Sequence, residues 1–99
     1  MQTVNKTELV PFPSSEPQEN FIFDCATDAG IFTFHFKWFN DRWNLWVTLP
    51  DGSVRQAGTE PGVVSWSEFE DYGLIFITEA ERIKFNDLFQ TEMYIITWL

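Results

Sequence analysis

Two side chains in this 99-residue chain are suited to nucleophilic or acid–base chemistry near neutral pH, the single histidine His35 and the single cysteine Cys25. A transfer or hydrolytic site needs a nucleophile, a base within hydrogen-bond reach and a group that orients the base. His35 alternates with Thr33 and Lys37, which reads as an outward strand position. Cys25 alternates with Phe21 and Phe23 and has no basic neighbour in sequence, which reads as a buried, inert thiol. One histidine with no second ligand nearby makes a poor metal site. The clustered carboxylates are Glu68, Glu70 and Asp71, and then Glu79 and Glu81. Neither group has the spacing of a calcium loop. Paired acids act on glycosidic bonds inside a cleft, and a chain this short is not expected to build a deep one. A solvated acidic face is the plainer expectation. No phosphate-binding glycine loop or nucleophile elbow is present. The sequence therefore predicts no catalytic residue, no metal site and no cofactor, and the chain is not expected to be an enzyme.

Composition points to binding instead. Fifteen acids against six bases give a formal charge of −9, which argues against a phosphate backbone and against an anionic membrane surface. A basic protein partner fits that charge, and so does a purely solubilising role. Eleven Phe, five Trp and two Tyr exceed what one small core usually holds, so some are expected on an interface. Aromatic strands also serve single-stranded nucleic acids, but the interleaved bases are few, with Lys37 and Arg42 nearly alone. Trp46 stands out because it shares its strand face with Asn44 and Thr48. It reads either as a half-buried residue of a second core or as an interface anchor. With one cysteine an internal disulfide is ruled out, and a reducing compartment is the default. The polar stretch from Met1 to Pro17 shows no secretory signal core, and no run is apolar enough to span a membrane.

The elements that would position these residues are strands. Residues 1–19, with Pro11, Pro13 and Pro17, read as an extended N-terminal arm. Its apolar anchors Leu9, Val10 and Phe12 are enough for a short edge strand before it turns. Residues 20–99 read as a single β domain. Alternation predicts strands over Asn20–Thr27, Ile31–Phe39, Trp43–Leu49 and Ser53–Ala57, a meander joined by turns at 28–30, 40–42 and 50–52. Phe32, Phe34, Phe36 and Trp38 fall on one face and are expected to be buried together. Beyond Gly58 the pattern is less regular. It suggests a short strand at Val63–Trp66 and a helical turn at Ser67–Tyr72 that Gly73 ends. It suggests an apolar strand at Leu74–Thr78, and a turn of helix or short 3₁₀ pieces within Glu79–Phe89. A last strand covers Met93–Leu99. About six or seven short strands imply an all-β domain, a small antiparallel β-barrel or sandwich.

The run from Phe32 to Asn40, then Trp43-Asn44-Leu45-Trp46-Val47-Thr48-Leu49 and Asp51-Gly52, resembles the baseplate plug proteins of contractile-tailed phages, of cyanophage type. Gly58, Asp87-Leu88-Phe89 and Met93-Tyr94-Ile95 extend the likeness, which spans residues 8–98. The chain departs from that pattern where acidic and aromatic residues 63–72 replace a glycine-rich stretch, and where the loop before the last strand lacks a proline. The resemblance implies a structural virion protein of the tail baseplate, made in the host cytoplasm, in several copies per particle, and held between hub, tube or wedge subunits. It implies no catalytic residue, while the charge speaks against a nucleic acid or membrane partner. The surfaces expected to meet neighbours are Leu9 and Phe12 of the arm, Trp46, and Tyr94 and Trp98 of the last strand, with the arm and that strand reaching adjacent subunits by strand addition. Two readings from other classes stand beside it. One is a soluble acidic inhibitor that imitates nucleic acid to block a basic protein; the other is a carbohydrate-binding module built on Trp46.

Overall fold

A computed structural model of the chain describes residues 3–13, 18–66 and 71–98. Within them lie seven strands: β1 (Val4–Val10), β2 (Asn20–Thr27), β3 (Gly30–Phe39), β4 (Arg42–Thr48), β5 (Val54–Ala57), β6 (Tyr72–Ile77) and β7 (Glu92–Trp98), with one 3₁₀ helix, Phe85–Gln90, before β7. They form two antiparallel sheets, a four-stranded meander β2-β3-β4-β5 and a three-stranded sheet ordered β1-β7-β6. The sheets pack as an open sandwich and do not close into a barrel.

The meander follows the alternation closely. β2, β3 and β4 pair in unbroken register, with Phe23 opposite Phe34 and Phe34 opposite Val47. Phe32, Phe34 and Phe36 are fully buried, with Trp43, Leu45 and Val47 beside them on β4. A Phe buried this way contributes about 1.5–3 kcal/mol. Two-residue turns link β2 to β3 and β3 to β4, and a three-residue turn links β4 to β5. Asn40 and Asp41 have φ of 55° and 58°, the pair of positive angles that matches the twist of a hairpin. Gly52 has φ of 91° in the Pro50-Asp51-Gly52 turn, where the Ser53 N–H and hydroxyl both donate to Asp51.

Trp38 departs from the expected pattern. It is half-buried and not enclosed with the three phenylalanines. It packs edge-on against Trp43 and against Phe85 of the 3₁₀ helix, with ring centroids 5.3 and 5.5 Å away.

The second sheet differs more from the sequence reading. Val4–Val10, read as part of an arm, is a strand paired with β7, from Val4 opposite Trp98 to Val10 opposite Met93. The strand expected at Val63–Trp66 is reduced to one bridge, between Ser65 and Leu74. Tyr72 belongs to β6 and not to a helical turn, and residues 67–70 of that expected turn lie outside the described residues. Gly73 is inside β6 and buried, since the Trp98 ring and Val64 lie over it. From this sheet Val10, Leu74, Phe76, Met93 and Ile95 complete the core.

Candidate functional site

The sandwich puts the two reactive side chains on opposite sides of one sheet. Cys25 belongs to the inner face of β2 with Phe21 and Phe23, whereas His35 lies on the outer face of β3, its Nε2 2.6 Å from Asn20 Oδ1. A Cys–His pair is therefore excluded by geometry. Burial pushes the Cys25 thiol above its usual range, and the Glu8 carboxylate adds to the effect. A raised thiol pKa leaves less thiolate at any given pH below it. Iodoacetamide at pH 8 should therefore alkylate Cys25 in the folded chain more slowly than in the same chain unfolded in urea. Equal rates would show the thiol to be unprotected.

A cleft of about 860 Å³ opens at one end of the sandwich between the β3–β4 turn, residues 58–61 and residues 81–83. Two of its charged groups, Arg82 and Asp41, are committed to each other. Arg82 donates to Asp41 at 2.8 Å, and that hydrogen bond first, then the charge of Arg82, holds the Asp41 carboxyl below its usual range. The Trp43 indole donates to the Lys84 carbonyl, and the Thr59 hydroxyl to that of Trp43. Neither His35 nor Cys25 lines the cleft. Among the described residues no three His, Cys, Asp or Glu side chains gather as metal ligands. Of the two acidic groups, Asp71, Glu79 and Glu81 are exposed, while Glu68 and Glu70 lie outside the described residues.

The five residues expected at interfaces separate into three places. Phe12 is partly buried against the core at the seam beyond β1: its ring sits 4.9 Å from Phe89, 5.8 Å from Phe36 and 5.9 Å from Phe23. Trp46 is half-buried on the outer face of the four-stranded sheet, its ring 5.6 Å from that of His35, in a row that also holds Ile22 and Gln56. Leu9, Tyr94 and Trp98 fall together on the outer face of the three-stranded sheet. Leu9 stands opposite Tyr94, and Tyr94 opposite Ile75, so one row crosses the sheet as Leu9–Tyr94–Ile75. Val4, Ile77 and Ile96 share this face through their pairings and alternation. Leu9, Val4 and Ile77 are 54%, 51% and 47% exposed, Tyr94, Ile75 and Trp98 are half-buried and Ile96 is buried, so the face is apolar and its exposed part lies along Val4, Leu9 and Ile77. The Tyr94 hydroxyl donates to Glu92, and this bond first, then burial, raises its pKa. Trp98 folds over Gly73, and its Nε1 is buried without a hydrogen-bond partner among the described residues.

Ile75 and Ile77 were not singled out from the sequence. The signal was there: Leu74–Thr78 is a continuous apolar run and not an alternating one, and in an antiparallel sheet that means an apolar outer face. Strand addition by the last strand does not survive the topology. β7 is the middle strand of its sheet, hydrogen-bonded to β1 on one side and β6 on the other, so it has no free edge to offer. No family model, no curated protein and no solved structure matches the chain.

Proposed function

We propose that this chain is an assembly protein, a small β-sandwich that docks on neighbouring proteins as a plug or adaptor in the baseplate of a contractile phage tail. The observation that carries the docking is the Leu9–Tyr94–Ile75 row, an apolar and partly exposed strip of the outer sheet face on a chain of charge −9. Antiparallel sheets ordinarily turn a polar face to water, and contiguous exposed apolar surface marks a contact site. The resemblance of residues 32–52 to baseplate plug proteins supplies the setting: neighbouring hub, tube or wedge subunits, with several copies per particle. Trp46, on the opposite side of the sandwich, offers a second anchor, so the domain is suited to bridging two neighbours. The charge of −9 also supports the acidic-inhibitor reading, in which a basic protein is the target.

Complementation of a phage lacking this gene tests the proposal, with tails counted by electron microscopy and the protein quantified in purified particles. Tyr94→Ala should leave the isolated domain folded and weaken incorporation by about 2 kcal/mol or more, the scale of an interface hot spot. Wild-type incorporation of that variant would remove the three-stranded face from the interface. Normal contractile tails with the gene deleted would overturn the baseplate setting and put the acidic inhibitor first.

A further inference from the structure

An open sandwich of two sheets has four edge strands, here β1, β6, β2 and β5. Unpaired edges recruit other strands, and folded proteins blunt them with short strands, lysines, prolines, bulges or covering segments. Three of the four edges carry such a device. β6 is covered by the chain before it: Gly62 N–H donates to the Phe76 carbonyl, and Ser65 and Leu74 exchange a pair of bonds. β5 is only four residues long. Its outward carbonyls are taken by side chains, Gln56 by the Trp66 indole at 2.9 Å and Val54 by Arg55 at 3.1 Å. Trp66 holds a left-handed φ of 65° in that position. β1 carries Lys6 and a register irregularity between Val4 and Lys6.

Among the described residues β2 has no such cover, and its one charged side chain is the acidic Asp24. Its eight residues pair with β3 without a bulge and contain neither lysine nor proline. Trp38 N–H donates to the Glu19 carbonyl, which fixes the alternation along the strand. The backbone groups of Phe21, Phe23, Cys25 and Thr27 turn to β3, and those of Asn20, Ile22, Asp24 and Ala26 turn away from the sheet. Among the described residues the only contact to those four is a 3.8 Å approach of the Cys25 thiol to the Ala26 carbonyl. The side chains beside the edge are acidic. Glu19, Asp24 and Asp28 lie on or next to β2, and Glu8 of β1 accepts from the Asp28 N–H, with Lys6 the one base, already paired to Glu8 and Asp28.

We propose that the β2 edge accepts an extended basic segment of a partner protein as an added strand. Main-chain bonds at Asn20, Ile22, Asp24 and Ala26 hold the segment, and its Lys or Arg side chains meet Asp24 on the outer face of β2, in the negative field that Glu19 and Asp28 add to. A second copy of this chain is the less suited occupant, because β2 set against β2 brings the same carboxylates together. The proposal is independent of whether the assembly is a phage baseplate.

The probe is a capped ten-residue peptide alternating lysine with valine, added to the whole chain at low salt, with amide hydrogen exchange followed residue by residue. Exchange at Ile22, Asp24 and Ala26 should slow by roughly tenfold or more at saturation and recover as salt is raised. A version N-methylated at alternate residues, unable to pair, should have no effect. Asp24→Lys should weaken the peptide's effect by about tenfold while the β3 amides keep their protection. Slowing at β1 or β6 in place of β2 would overturn the proposal. So would an equal effect from a glutamate–valine peptide, or no slowing at millimolar peptide. Concentration-dependent slowing without any peptide would overturn it in favour of a second copy.

Discussion

Phe36→Ala should leave the chain only marginally folded at room temperature. Phe36 is completely buried, and its ring centroid lies 5.2 Å from Phe21, 5.8 Å from Phe12, 6.0 Å from Trp43, 6.2 Å from Phe23 and 6.4 Å from Phe76. Those rings come from the seam segment, both neighbouring strands and the opposite sheet, so no single neighbour can move to fill the space. Truncating an enclosed Phe costs about 3–5 kcal/mol when the cavity cannot collapse. A domain of this size has about 5–15 kcal/mol in total, and small ones sit near the lower end. Phe39→Ala, on the same strand but 40% exposed, is the control and should cost about 1 kcal/mol or less. Urea titrations followed by tryptophan fluorescence measure both. A Phe36 variant with the parent's midpoint would mean that the two sheets do not meet at this ring.

Gly30→Val should be the most damaging substitution at a turn. Gly30 opens β3 after the Asp28-Ala29 loop with φ of 128°, an angle that β-branched residues all but never adopt. A Cβ there would also lie 2.7 Å from the Cβ of Pro50 and 3.1 Å from its Cγ, well inside contact distance. Backbone strain and overpacking each cost about 1–3 kcal/mol, so a loss on the order of 3 kcal/mol is expected. The two causes separate in a double-mutant cycle with Pro50→Gly, which removes the clash and leaves the backbone angle unchanged. A favourable coupling between the two substitutions assigns part of the cost to the proline. Strict additivity would leave backbone strain as the whole cause, and a Gly30→Val chain as stable as the parent would refute both.

The meander was legible because its information is local. Phe32, Phe34 and Phe36 alternate with polar residues, and the turns at 40–41 and 50–52 carry residues that accept positive φ. The three-stranded sheet was not, because its information is distant. Val4–Val10 holds Asn5, Lys6, Thr7 and Glu8, a polar run followed by prolines. It is a strand because β7 offers it an edge, and nothing within the segment announces β7. Gly73 reads locally as a breaker, and its real reason is the Trp98 ring arriving from another strand. Phe12 looked available because an arm rich in proline looks unpacked, yet it packs against the core at the seam beyond β1. The apolar outer face was half visible. Leu9 marks the arm and Tyr94 and Trp98 mark the last strand in the sequence, and only the strand order shows that they share a surface with Ile75.

The strand order also dictates when the molecule can be finished. The meander's strands follow one another in sequence, so each finds its partner as soon as it leaves the ribosome. The other sheet waits. β1 is made first and β6 much later, and the strand that each pairs with is β7, which follows them both. Until β7 emerges, a nascent chain holds one half-built sheet against which the phenylalanines of the other cannot be closed over. The aromatic face that later forms the core is then open to any other apolar chain, and fast synthesis or a holding chaperone shortens that exposure. Yield in the cell is therefore set by the delay before β7 arrives as well as by the stability of the completed sandwich.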